Sequence, residues 1–291
     1  MFQGSYVAIV TPFKNGTIDE AALAKLIEMH VDAGTDGIVP CGTTGESPTL
    51  THEEHDRMVE LTVKLVRGRM KVMAGTGSNN TAEAVRLSKA AEKAGADACL
   101  VINPYYNKPT QKGLYEHFKA VANAVKIPIV VYNIQSRTAV NIATPTLAEL
   151  AKIENIVGVK EASGDLAQMS DVAVACGPNF SILSGDDALT LPLLAVGGHG
   201  VISVVANIIP NDVKTMIEAF NSGNILLATA LHKKMFPLVK AMFVETNPIP
   251  VKTALAMMGL VSPELRLPLT SMEEANQNKL REAMRAYGLR V

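Results

Sequence analysis

Short apolar runs rich in β-branched residues recur eight times, at Tyr6–Val10, Gly37–Pro40, Lys71–Ala74, Ala98–Ile102, Pro128–Tyr132, Ile156–Lys160, Phe180–Leu183 and Gly200–Val204. Runs of this length bounded by glycine and polar turns predict buried strands. Between them the apolar period changes. Leu23, Leu26, Ile27, His30 and Val31 fall at i, i+3, i+4, i+7 and i+8, one face of a helix. Met58, Leu61 and Leu65 repeat the pattern, as do Leu114, Phe118, Val121 and Val125. Thr51-x-x-Glu54, Asn80-x-x-Glu83 and Ser271-x-x-Glu274 predict capped helix starts. Pro145 predicts the first turn of a helix beginning near Thr144, and Gly34, Gly95 and Gly177 predict helix ends.

Eight βα units without a proline-rich or charged linker predict an α/β fold, a (β/α)8 TIM barrel. A doubly wound sheet is the alternative, but no Gly-x-Gly-x-x-Gly turn follows the first strand. From Asn211 onward strand signals stop. Helical patterns over Val213–Phe220, Ile225–Phe243, Val251–Met258 and Met272–Tyr287 follow, with Pro237 predicting a kink in the second. The expected organisation is a catalytic barrel over residues 1–210, its last helix reaching about 222, and a C-terminal helical domain over 223–291.

Composition narrows the function. A net charge of −1 gives no electrostatic case for nucleic acid or an anionic membrane. Three separated cysteines, Cys41, Cys99 and Cys176, argue against a disulfide framework and for a reducing compartment. The N-terminus lacks a signal-peptide pattern. The most apolar stretch, Leu189–Pro210, is broken by Pro192, Gly197-Gly198-His199-Gly200, Ser203 and Asn207, against a membrane span. A cytoplasmic, soluble protein is expected.

The candidate chemistry gathers at the predicted C-terminal strand ends, where such barrels carry their active sites. Ile156–Val159 ends in Lys160, and alternation predicts Val157 and Val159 on one face, Gly158 and Lys160 on the other. Gly158 is expected to leave empty volume beside the lysine. A buried ammonium is costly unless paired or deprotonated, so Lys160 is either a strand-end lysine reaching water or a neutral amine able to form a Schiff base. Gly42-Thr43-Thr44-Gly45 is too short for a phosphate loop and lacks its lysine. Its two threonines suit a small carboxylate through backbone N–H groups and hydroxyls, unless this is an ordinary βα turn. Tyr132, on the strand beside the lysine, suits proton exchange with a carbonyl oxygen or a structural bond. Arg137 suits carboxylate capture or a surface ion pair. Cys41 reads as packing. His52 and His55 have no third ligand, so no metal is expected.

Gly42-Thr43-Thr44-Gly45-Glu46, Tyr132-Asn133-x-x-Ser136-Arg137-Thr138 and Gly158-Val159-Lys160-Glu161 together resemble the dihydrodipicolinate synthase family. These are class I pyruvate-dependent aldolases, a group that also holds N-acetylneuraminate lyase. The similarity runs from Gly4 into the C-terminal helices. The resemblance implies that Lys160 forms an imine with pyruvate and that the enamine attacks L-aspartate 4-semialdehyde. It implies Tyr132 as general acid/base, with Thr44 and Tyr106 completing a proton relay in which the family takes a tyrosine from the neighbouring subunit. Thr43 and Thr44 would hold the pyruvate carboxylate, Arg137 that of the semialdehyde, and the carbonyls of Gly185 and Ile202 would line the site. No cofactor is implied. A homotetramer is implied, as is L-lysine feedback through Ser47, His52, His55, Asn79, Glu83 and Tyr105. Pro48 and Gln135 depart from the family pattern, at an alanine and a proline position respectively. The rivals are a sialic acid or 2-keto-3-deoxy-sugar aldolase using the same lysine, and a non-catalytic pyruvate sensor.

Overall fold

In the computed structural model, which describes residues 1–291, the eight strand patterns become eight parallel strands that close on themselves. They are β1 (Gly4–Ala8), β2 (Gly37–Val39), β3 (Lys71–Gly75), β4 (Ala98–Ile102), β5 (Ile129–Asn133), β6 (Ile156–Glu161), β7 (Ser181–Ser184) and β8 (Gly200–Ser203). β1 pairs with both β2 and β8, which removes every sheet edge. The helices that follow the strands are α1 (Glu20–Asp32), α2 (His52–Val66), α3 (Thr81–Ala94), α4 (Gln111–Ala124), α5 (Thr144–Leu150), α6 (Leu166–Cys176), α7 (Thr190–Ala195) and α8 (Pro210–Asn221). Beyond them lie α9 (Ile225–Ala241), which contains Pro237, α10 (Ile249–Met257) and α11 (Glu274–Tyr287). None of these helices is long and apolar enough to cross a membrane.

Local signals explain most boundaries. Thr51 and Glu54 form a reciprocal capping box at α2, and Asn80 accepts from the Ala82 N–H at α3. The cap expected from Ser271 does not form. Glu273 occupies the cap position of α11, and its N–H donates to Glu245 Oε1 at 3.0 Å, so a distant carboxylate supplies the acceptor. A hairpin of Phe13–Lys14 with Thr17–Ile18 also went unread. Its signal is Asn15-Gly16, both at positive φ, the pair a tight hairpin turn favours.

Two apolar clusters divide the strand faces. Ile129, Val131 and Val159 join the helices in the outer core, whereas Val130, Tyr132, Leu183 and Ile202 fill the barrel interior. The expected alternation fails at one place. Val157 packs on the inner cluster while Val159 lies in the outer one, because the register slips between Ile129↔Ile156 and Val130↔Gly158. One extra residue on β6 re-aims the side chains before the lysine, as a bulge does. Tyr132 and Lys160 are then direct neighbours across the β5–β6 pair.

The chain after α9 is stitched to the loop following β2. Lys252 Nζ and Glu46 Oε1 form an ion pair at 2.5 Å with both side chains fully buried. The Arg266 N–H donates to Glu46 Oε2 at 3.1 Å, and its guanidinium takes Glu54 bidentately at 2.6 Å. Phe13 lies between the two cations, 4.2 Å from Lys252 Nζ and 4.2 Å from Arg266 Cζ.

Candidate active site

β6 delivers Lys160 into the barrel mouth with only 6% of its surface exposed. Its Nζ lies 4.2 Å from the centroid of the Tyr132 ring. No carboxylate forms a salt bridge with it. Burial therefore dominates and lowers the amine to about 7, Asp187 opposing this and Arg137 reinforcing it. Asp187 is itself fixed, its Oδ2 accepting the Val204 and Val205 N–H groups at 3.0 Å each. Burial pushes the Tyr132 phenol up to about 12, against the opposing pull of Arg137 and Thr43. At neutral pH about half of the amine is thus neutral beside a protonated phenol, a nucleophile next to an acid.

The room for the lysine comes from a glycine other than the one expected. A Cβ on Gly158 would meet Ser181 O at 2.5 Å, so that glycine lets β7 approach and leaves no empty volume. A Cβ on Gly185 would meet Ala162 Cβ at 2.6 Å, then Lys160 Cε at 3.0 Å and Cγ at 3.3 Å. Gly185 is the residue whose missing side chain accommodates the lysine stem.

The turn after β2 is bracketed by Cys41 and Glu46, non-glycine residues at φ 55 and 54. Such left-handed backbone costs roughly 1–2 kcal/mol per residue and persists where the surroundings impose it. Thr11 Oγ1 donates to Gly45 O at 2.6 Å, and the Lys252–Glu46 pair holds the far end. The Gly45 and Glu46 N–H groups bond back to Gly42 O and Thr43 O, while those of Thr43 and Thr44 reach no backbone carbonyl. They are available to an anion. Cys41 is buried and its thiol is raised by that burial, which fits packing and excludes a ready thiolate.

Arg137 sits on a one-turn helix, Gln135–Thr138, at the end of β5. Thr138 pins that turn, donating to Ile134 O at 2.9 Å and accepting from Asn103 Nδ2 at 3.1 Å. Arg137 Nη2 donates to the Asn247 carbonyl at 3.1 Å. A cavity of about 350 Å³ brings Thr43, Tyr132 and Arg137 together with Ser47, His52, His55, Glu83 and Tyr105. His52 meets Glu83 at 2.7 Å, and a Ser78 hydroxyl also donates to Glu83. Those two hydrogen bonds, Ser78's first, hold the Glu83 carboxyl below its usual range. His55 turns away to Gly75 O at 2.8 Å, so the two histidines do not converge on a metal.

Six sequence-derived residues stand outside this cavity wall: Lys160, Thr44, Gly185, Ile202, Asn79 and Tyr106. Asn79 presents its carbonyl to Asn107 Nδ2 at 2.9 Å. Tyr106 is 89% exposed at φ 69. Ile202 lies in the inner cluster with Tyr132. Missed by pattern reading were Asn247, Asp187 and the Lys252–Glu46 pair. Asp187 follows β7 in the polar run Ser184-Gly185-Asp186-Asp187, which marks a strand end but not its charge beside Lys160. Asn247 and Lys252 carried no local signal, since their partners lie 203 and 206 residues away.

Comparison with known proteins gives a consistent result. Residues 1–287 match the model of the dihydrodipicolinate synthetase family. The 4-hydroxy-tetrahydrodipicolinate synthase of Syntrophus aciditrophicus is 61% identical over 289 residues, 99% of each chain. The crystal structure of dihydrodipicolinate synthase from Aquifex aeolicus superposes with a TM-score of 0.98 at 55% identity, covering 99% of both chains. The lysine-bound structure of the corresponding protein from Cyanidioschyzon merolae gives 0.96 at 43% identity, again over 99% of both.

Proposed function

The chain belongs to the dihydrodipicolinate synthetase family, and we propose that it carries out the 4-hydroxy-tetrahydrodipicolinate synthase reaction, condensing pyruvate with L-aspartate 4-semialdehyde. The observation that carries the reading is the buried Lys160 amine, lowered to about 7 and packed on the Tyr132 ring. The neutral amine attacks C2 of pyruvate, and the carbinolamine loses water as Tyr132 supplies a proton to the departing hydroxyl. Loss of a C3 proton from the iminium gives an enamine. Its C3 forms a carbon–carbon bond to the aldehyde carbon, whose oxygen takes up a proton. The amino group of the semialdehyde portion then attacks C2, closes the ring and expels Lys160 as a free amine.

In this reading the Thr43 and Thr44 N–H groups receive the pyruvate carboxylate and Arg137 that of the semialdehyde. The Thr44 hydroxyl passes protons between phenols, and the exposed Tyr106 serves a neighbouring subunit. A homotetramer follows as the proposed assembly. We take residues 1–210, with α8 to Asn221, as the catalytic domain and 223–291 as the C-terminal helical domain. A biosynthetic reaction on free metabolites fits the cytoplasm.

The test is coupled turnover of pyruvate with L-aspartate 4-semialdehyde beside N-acetylneuraminate and 2-keto-3-deoxy-sugar acids. Borohydride trapping of pyruvate runs alongside, with peptide mapping of the adduct. Turnover with the semialdehyde and a reduced adduct on Lys160 are expected. Preference for a sugar acid would reverse the assignment, and no adduct would favour a pyruvate sensor.

Regulation by L-lysine is proposed for the same cavity. Glu83, kept anionic by Ser78 and His52, suits an ammonium, while Tyr105 in the wall, with Asn79 outside it, suits a carboxylate. Lysine titration should inhibit the wild type, and Glu83→Gln should weaken that inhibition by about tenfold or more, the loss of one charged hydrogen bond. Wild-type activity that stays flat across the titration, with no heat of binding, removes the proposal.

A further inference from the structure

Asn247 lies in the segment between α9 and α10, far in sequence from every residue of the barrel mouth. Its Nδ2 donates to Thr44 Oγ1 at 3.0 Å, across 203 residues, and both side chains are buried. A threonine hydroxyl carries one proton and can accept through its lone pairs. A carboxamide N–H occupies a lone pair and nothing else, so the Thr44 proton is directed away from Asn247. Without that donor the hydroxyl is a free rotor, and part of the population points its proton the wrong way. The same residue reaches the second-substrate group, because its main-chain carbonyl accepts from Arg137 Nη2 at 3.1 Å. Its Oδ1 is buried with no protein partner. An apolar side chain of similar size would avoid that desolvation cost, so packing alone does not explain an asparagine here.

We propose that Asn247 is a positioning residue, its side chain fixing the direction in which Thr44 gives its proton and its backbone fixing the aim of Arg137. This rests on the relay role assigned to Thr44 above. The two functions separate cleanly, since a side-chain substitution removes the first and leaves the main-chain carbonyl in place.

Asn247→Asp is nearly isosteric, and its carboxylate accepts only, which turns the Thr44 proton toward position 247. The expected result is a fall in kcat of about 10–100-fold, a partial loss of the roughly 10²–10⁴-fold that a positioned acid/base group contributes. The KM for L-aspartate 4-semialdehyde should stay within about twofold, and the borohydride trapping rate of pyruvate should fall in step with kcat. On a Thr44→Val background the same change should have no further effect. If Thr44→Val is itself harmless, the relay reading fails and this inference with it. If Thr44→Val is slow while a folded Asn247→Asp turns over like the wild type, the inference alone is overturned. A rise in the semialdehyde KM with kcat unchanged also overturns it. Should the carboxylate prevent folding, Asn247→Ala carries the same test, with a fall in kcat expected. Failure of that variant to fold overturns the proposal, because the residue would then serve the fold.

Discussion

Lys160→Met is expected to abolish turnover and, at the same time, to make the protein more stable. Removing the nucleophile of a covalent mechanism costs on the order of 10⁴-fold or more in rate. The stability gain has a separate cause. In the unfolded chain the lysine titrates near 10.5, in the barrel near 7. Between those values the unfolded state binds more protons, so wild-type stability rises with pH through that window. Below pH 7 the folded protein carries the full cost of a desolvated ammonium, several kcal/mol at roughly 1.4 kcal/mol per pKa unit. Methionine carries none of it. Calorimetry should show the variant melting above the wild type at neutral pH, with the gap closing toward pH 10. In the wild type, kcat/KM for pyruvate should climb about tenfold per unit below pH 7 and level off above, as the free amine becomes the dominant form. Asp187→Asn, which keeps the acceptor for Val204 and Val205 but removes the charge favouring the ammonium, should move that rise to lower pH. A flat profile between pH 5 and 9 would sink the neutral-amine account.

The second large effect is on the stitching between the chain ends. Lys252→Met leaves Glu46 charged, fully buried and without its cation. Breaking one side of a buried pair costs about 3–5 kcal/mol, a large part of the net stability of a typical domain. A melting point lower by on the order of 10 °C is expected. Adding Glu46→Gln removes the orphaned charge and keeps an acceptor for the Arg266 N–H, so the double variant should recover most of the loss. Non-additivity of that sign identifies the pair as the cause. Equal melting points for the single and double variants would show that the destabilisation comes from lost packing around Phe13 instead.

Much of the barrel was legible because its signals are local. Short apolar runs rich in β-branched residues placed every barrel strand within two residues of its observed ends. Thr51-x-x-Glu54 announced a capping box that forms, since both reciprocal bonds lie within four residues. Ser271-x-x-Glu274 has the same spelling and fails, because Glu245 Oε1 accepts the Glu273 N–H and the Asn276 side-chain amide instead. Strand alternation set Lys160 on the face opposite Val159, which lies in the outer core. It misplaced Val157, because a one-residue slip against β5 leaves no mark in β6 itself.

By itself the sequence determined the order of strands and helices, the polar clusters at the strand ends, and the residue types needed for imine chemistry. These follow from periodicity and side-chain chemistry, which act over a few residues. Only the tertiary structure decided how Lys160 behaves as an acid, since desolvation depends on what Tyr132, Gly185 and Asp187 leave around its nitrogen. It also decided that the shape of the Thr43-Thr44 turn is held from residues 247, 252 and 266. Closing a barrel brings distant segments into contact through loop closure and burial, and neither term is written in any short stretch of chain.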